Sequence, residues 1–240
     1  MAKIADSSVM VTGGGRGIGR ALVEEALKRG ARRVYAGTRR TFAHSDARVV
    51  PLTLDVTDRA RIRRAVEEVE ALDILINNAG ITTFDDLSDR AVLEQQLAVN
   101  LFGPHAVTQA FLPMLTRSGG AIVNIHSLAA IAPTPFSPSY SISKAAALSM
   151  TQALRMHLAG SGVSVHAVLP GPVDTEMNAG LDIPLPMAAP GTVARAILDA
   201  VEAGEDDIFP DPVSAELAEG WRNGVVKLLE SQFATLPKSM

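Results

Sequence analysis

A run of glycines, set between an apolar stretch and a helix-patterned one, constrains this chain more than any other feature. Val9 to Thr12 is apolar and β-branched, and it leads straight into Thr12-Gly13-Gly14-Gly15-Arg16-Gly17-Ile18-Gly19. From Ile18 to Arg29 the apolar residues follow a helical period. A strand that turns directly into a helix needs residues without a Cβ. Gly13 lets the chain turn sharply, Gly17 lets backbone approach a ligand, and Gly19 lets helix pack on strand. The free N–H groups and the dipole at the helix start then favour an anion such as a pyrophosphate. The spacing G-x-G-x-x-G is not met in this run, so the reading rests on its place after a strand and before an amphipathic helix.

The same alternation continues along the chain. Arg33 to Gly37, Val49 to Leu54, Ile74 to Asn77, Ala121 to Ser127 and Val163 to Leu169 read as further strands. Several are apolar almost throughout, as expected of strands buried on both faces. Asp58 to Ala71, Ser88 to Arg117 and Ser141 to Ala159 read as helices. Ser88 and Asp58 are candidate N-caps, and Gly30 and Gly160 are candidate stops. Strand–helix alternation of this kind predicts an α/β protein with a doubly wound parallel sheet. Residues 174–192, rich in proline, read as a loop over the site, because ligands bind at the carboxyl edge of such sheets. Asp206 to Pro212 reads as a further strand or turn, and a helix is expected from Val213 onward, carrying Trp221, Leu228, Leu229 and Phe233.

Composition narrows the classes. A length of 240 residues, 47% hydrophobic, suits one large domain over 1–240 with a substantial core. A net charge of -4 gives no electrostatic footprint for nucleic acid. No apolar run is long enough to span a bilayer, and no secretory signal is read at the start. The absence of cysteine excludes disulfides and thiol chemistry and is compatible with a cytoplasmic setting. The histidines lack ligand spacing, so no metal is expected.

The second strand ends in Gly37-Thr38-Arg39-Arg40. A carboxylate at that place would bind a ribose 2′-hydroxyl, whereas arginine accepts a 2′-phosphate. Arg39, with Arg16 from the glycine loop, therefore favours NADP(H), while NAD(H) stays possible. Further along, Tyr140 and Lys144 lie four apart on one helical face, with Ser127 upstream. A lysine beside a phenol is expected to lower its pKa from about 10 and to make it a usable proton donor and acceptor. His126 alternates with Ser127 and reads as structural.

These motifs, in order, resemble the short-chain dehydrogenases/reductases: Thr12-Gly13-x-x-x-Gly17-x-Gly19, Asp55-Val56, Asn77-Asn78-Ala79-Gly80, Asn100, Ser127, Tyr140-x-x-x-Lys144 and Pro170-Gly171. The resemblance implies a Rossmann fold of about seven strands, a nicotinamide cofactor and a homodimer or homotetramer. It implies that Asp55 binds the adenine amino group with the Val56 backbone nearby, and that Asn78, Ala79 and Gly80 line the cofactor. Asn100 is similar to the asparagine that holds a water in a proton relay. Ser127 is similar to the hydroxyl that polarises the substrate carbonyl, Tyr140 to the acid/base, and Lys144 to the lysine that binds the nicotinamide ribose. Pro170, Gly171, Val173 and Thr175 resemble the segment on the carboxamide side of the nicotinamide. The stretch from Arg40 to Arg48 is too short for the helix that commonly follows the second strand.

Leu128, Ile131, Phe136, Met177, Leu181 and Met187 fall where the family's pocket and lid lie, and all are apolar. The reading is a reductase that converts an apolar or aromatic ketone to a secondary alcohol. An imine or an acyl-carrier or polyketide ketone is an alternative substrate. A nicotinamide-binding regulator without turnover is the alternative of another class, which an intact Asn–Ser–Tyr–Lys set disfavours.

Overall fold

The computed structural model describes residues 2–40, 42–180 and 185–235. Leu181 therefore lies outside the described residues. Seven parallel strands form one sheet in the order β3-β2-β1-β4-β5-β6-β7. They are β1 (Ser8–Thr12), β2 (Arg33–Thr38), β3 (Val49–Thr53), β4 (Ile74–Asn77), β5 (Ala121–Ile125), β6 (Ser164–Val168) and β7 (Asp207–Ile208). The chain builds outward from β1 to β3, then crosses to the other side of β1 with β4. The switch point lies between β1 and β4, where Val11 pairs with Ile76. The loops after both strands open there.

Strand alternation sorts the core into two layers. Val9, Val11, Ile74 and Ile76 face α1 (Gly17–Lys28) and α6 (Pro190–Ala203) in one cluster. Met10, Leu75 and Ile122 face the other layer, with Ile62 of α2 (Arg59–Glu68) and Phe111 of α4 (Gly103–Ser118). With both faces covered, all five residues of β1 and of β5 are buried. Asp58 caps α2 through bonds from Ala60 N at 2.8 Å and Arg61 N at 3.2 Å. Gly30 and Gly160 follow their helices at φ values of 81° and 86°. No helix forms among the described residues between β2 and β3. No helix among the described residues is long and apolar enough to cross a membrane.

Several boundaries differ from the sequence reading. Helix α2 ends at Glu68, short of Ala71. The expected helix from Ser88 to Arg117 is three pieces: α3 (Arg90–Leu97), a π turn over Ala98–Phe102, and α4. Its cap is Asp89, whose carboxylate accepts from Ala91 N at 2.8 Å, and not Ser88. Pro104 has no N–H to return to the Asn100 carbonyl, so the regular ladder is interrupted there. Helix α5 (Pro138–Leu158) begins three residues before Ser141, with Pro138 at the position where the missing N–H is harmless. Helix α6 was not expected; its buried stripe is Val193, Ala194, Ile197, Leu198 and Val201. The expected C-terminal helix is three short ones, α7 (Pro212–Ala215), α8 (Ala218–Arg222) and α9 (Val225–Phe233).

Candidate active site

The glycine loop is locked by sterics. Gly13 turns at φ +69°, and a Cβ on Gly19 would stand 2.1 Å from the Gly13 carbonyl oxygen. The Thr12 hydroxyl accepts from Asn78 N and Ala79 N, both at 3.0 Å, and Asn78 Nδ2 donates to Thr12 O at 3.0 Å. These bonds tie the loop after β1 to the end of β4, across the switch point. Arg16 stands at the N-cap of α1, makes no capping bond, and no acid occupies the first turn. The helix start thus presents its N–H groups without a competing anion of its own. Ile18 packs on the core beneath.

Around the loop, a Cβ on Gly15 would meet Thr38 Cγ2 at 3.1 Å, and one on Gly17 would meet Thr175 Cγ2 at 3.3 Å. A cleft of about 420 Å³ opens here, bounded by Gly17, Asp174, Thr175, Glu176, Ala179 and Pro190. The base of the loop beyond it is closed by Val173, which pairs with Ala188, and by Asp174 N donating to Ala188 O at 2.9 Å. Val173 is itself buried in the core. Gly171 N donates to Asp211 Oδ2 at 2.8 Å, which fixes the Pro170-Gly171 turn to α7. On the other side, burial works against the Asp55 charge. Two bonds from Thr57 and the charges of Arg39 and Arg61 nevertheless hold its pKa below the ordinary value. The Val56 side chain is buried, and a Cβ on Gly103 would press on it at 2.7 Å. Thr38 donates to Arg40 O at 2.6 Å, which shapes the turn carrying Arg39.

The second cluster gathers on α5 and its neighbours. Lys144 Nζ donates to Ile125 O at 2.8 Å and lies 5.7 Å from the centroid of the Tyr140 ring. A Cβ on Gly80 would meet Asn100 Oδ1 at 3.2 Å and Lys144 Nζ at 3.6 Å, so the end of β4 abuts both side chains. Ser127 lies just past β5 and caps a short 3₁₀ turn, accepting from Ala129 N at 3.1 Å. Leu128 begins that turn, and Ile131, Phe136, Met177 and Met187 are exposed around it and the loop.

One expectation changes here. Burial raises the Tyr140 pKa to about 12, and the hydrogen bond with Ser127 pulls only partly the other way. Burial acts on Lys144 too and lowers its pKa to about 8. Tyr140 is thus a neutral phenol at physiological pH, fit to donate a proton. The Asn100 side chain is hydrogen-bonded through both its oxygen and its nitrogen. Its Oδ1 accepts from Ile81 N, and its Nδ2 donates to Ile81 O and Ser143 Oγ, each at 2.9 Å. The side chain thereby fastens the segment after β4 to α5.

Sequence reasoning missed the polar layer beneath the site. Asn77 Nδ2 donates to Thr108 Oγ1 and to Asn124 Oδ1, and Asn124 Nδ2 donates to Thr151 Oγ1. The Thr151 hydroxyl gives its proton to Ala147 O, so it accepts from His126 Nε2 at 2.9 Å. That places the His126 proton on Nε2. His126 pins the end of β5 to α5, consistent with its structural reading. Among the described residues, no cluster of ligating side chains could hold a metal ion.

A family model described as short chain dehydrogenase matches residues 7–184. The chain is 33% identical over 229 residues to human Short-chain dehydrogenase/reductase 3, covering 85% of this chain and 76% of that one. It is 35% identical over 234 residues to 2-(R)-hydroxypropyl-CoM dehydrogenase from Xanthobacter autotrophicus, covering 83% and 92%. Among solved structures, a short chain dehydrogenase from Burkholderia cenocepacia in complex with NADP shares 37% identity, with a TM-score of 0.86 over 98% of this chain and all of that one.

Proposed function

Because the chain belongs to the short-chain dehydrogenase/reductase family of NAD(P)(H)-using oxidoreductases, we propose that it is an NADPH-dependent carbonyl reductase. The observation that carries the reading is the convergence of Tyr140, Lys144, Ser127 and Gly80. The loop and the uncapped start of α1 fit a pyrophosphate. Thr38 and Arg39 would flank the adenosine, with Asp55 and the Val56 backbone toward the base. Pro170, Gly171, Val173 and Thr175 would face the carboxamide, and Asn78, Ala79 and Gly80 the rest of the cofactor. The cofactor, when bound, supplies the hydride for reduction.

The protein's own part is orientation and charge. The Ser127 and Tyr140 hydroxyls hydrogen-bond to the substrate carbonyl oxygen, where negative charge develops. Tyr140, protonated at neutral pH, delivers the proton to that oxygen. The Lys144 cation then stabilises the phenolate left behind. Asn100 holds Ile81 and Ser143, and with them the wall behind Lys144. The exposed apolar residues Ile131, Phe136, Met177 and Met187 support an apolar or aromatic ketone as substrate.

Arg16 and Arg39 support preference for NADPH, as does the NADP bound to the Burkholderia relative. NADPH and NADH consumption should be followed against aryl, cyclic and acyl-thioester ketones and a cyclic imine. The reading expects turnover of an apolar ketone with NADPH, and an Arg39→Ala variant about tenfold poorer with NADPH but unchanged with NADH. Equal use of both cofactors, unaltered in that variant, sinks the NADP assignment. A homodimer or homotetramer belongs to the same proposal, supported by exposed Phe102 in the π turn and Ile142 on α5. Sedimentation velocity decides it, a single monomeric species being the contrary result.

A further inference from the structure

Helix α5 carries both Tyr140 and Lys144, yet its own N-cap residue does not cap it. The Ser137 side chain makes no capping bond, because its hydroxyl pairs with Thr134 Oγ1 at 2.8 Å. Pro138 follows and has no N–H. The first backbone donor of the helix is Ser139 N, and its acceptor comes from elsewhere in the chain. Asp85 Oδ1 accepts from Ser139 N at 3.3 Å, and Asp85 Oδ2 accepts from the Ser139 hydroxyl. Asp85 N in turn donates to Phe136 O at 3.2 Å, and the Phe84 and Phe136 rings meet with centroids 5.7 Å apart. A carboxylate at this helix end is also favoured by the dipole.

The segment bearing Asp85 is held at its other end by the site itself. Ile81 exchanges both backbone hydrogen bonds with the Asn100 side chain. Ile81 to Asp85 is thus a strap, fastened to Asn100 at one end and to the first turn of α5 at the other. Tyr140 is the residue after Ser139, in that same turn. We propose that Asp85 is a positioning residue that sets the first turn of α5, and through it the direction of the Tyr140 hydroxyl. The link to turnover rests on the reductase reading; the effect on Tyr140 does not.

The chain has only two tyrosines, Tyr35 and Tyr140. Tyr35 is buried on β2, its hydroxyl accepting from Glu70 N at 3.3 Å, and serves as an internal reference. With ¹³C-labelled tyrosine, Asp85→Ala is expected to move the Tyr140 ring resonance and leave Tyr35 in place. Asp85→Asn, which keeps an acceptor for Ser139 N, should restore most of the wild-type position. Ser139→Ala, which removes only the side-chain half of the contact, should move Tyr140 in the same direction by less. With a turned-over ketone, Asp85→Ala should lower kcat about tenfold while KM for NADPH holds, since a misplacement of about 1 Å can cost up to a hundredfold. An unmoved Tyr140 resonance in Asp85→Ala overturns the proposal. So does an equal shift of Tyr35, which would mean general loosening. The resonances are readable without turnover, so failure of the reductase reading leaves this inference decidable on its own.

Discussion

At the scale of single residues, backbone contact at Gly19 shapes the loop after β1. A glycine is expected at position 19 so that helix can pack on strand; the close contact is instead with the loop, a Cβ there standing 2.1 Å from Gly13 O. Gly19→Ala should cost about 3 kcal/mol or more of stability, because backbone rather than a flexible side chain must give way. Urea unfolding checks this, and an unchanged midpoint would refute it. The Tyr140–Lys144 pair was visible by its spacing, but spacing does not report burial, and burial decides both pKa values. The Lys144 pKa falls from 10.5 to about 8. The unfolded chain therefore binds more protons between about pH 8 and 10.5, and stability rises with pH across that window. Tyr140 acts oppositely: the folded state keeps a proton from pH 10 to about 12 that the unfolded state loses, so stability falls there. Lys144→Met should abolish the rise between pH 8 and 10, seen as unfolding midpoints that no longer climb. A wild-type slope in the variant would contradict the burial account.

Among the elements, strands and the first two helices were legible because β-branched runs, Asp58 and Gly30 mark them. The break at Ala98–Phe102 was harder to see. The pattern around it stays helical, and its one visible sign is Gly103-Pro104, where a donor is missing. Helix α6 carried a readable stripe at Val193, Ile197 and Val201, but the proline-rich run before it obscured the boundary. Among the C-terminal helices, α8 packs Trp221 against the core beside Phe209, whereas α9 buries no residue and is tied by charge. Arg155 of α5 pairs with Asp207 of β7 at 2.8 Å and with Glu230 of α9 at 2.6 Å. Lys227 joins Asp207 at 2.9 Å, and Trp221 Nε1 donates to the same carboxylate at 2.7 Å. No sequence period signals partners this far apart. Arg155→Met leaves buried carboxylates short of a partner and should cost about 3–5 kcal/mol. A thermal midpoint equal to wild type would show that α9 is held otherwise.

For the molecule as a whole, topology positions the chemistry. The switch between β1 and β4 opens the crevice, the glycine loop and Asn78 close its floor, and α5 brings Tyr140 and Lys144 to its wall. The polar layer below, from Thr108 through Asn77, Asn124 and Thr151 to His126, joins α4, the sheet and α5. Burial first, and then the Lys144 charge, lower the His126 pKa to about 3. The folded state thus refuses a proton that the unfolded state accepts below about pH 6.5, and stability falls as pH drops from there toward 3. His126→Asn should flatten that acid slope whatever its own effect on stability at neutral pH. On the proposed reductase reading, Tyr140 hands a proton to a carbonyl oxygen while the bound cofactor supplies the hydride. The most direct test is deuteride transfer from NADPH labelled at nicotinamide C4 to the carbinol carbon, by wild type and Tyr140→Phe at matched cofactor occupancy. Labelled alcohol is expected from wild type and about 10³-fold less from the variant, with NADPH affinity retained. Equal transfer by both proteins would remove Tyr140 from the mechanism.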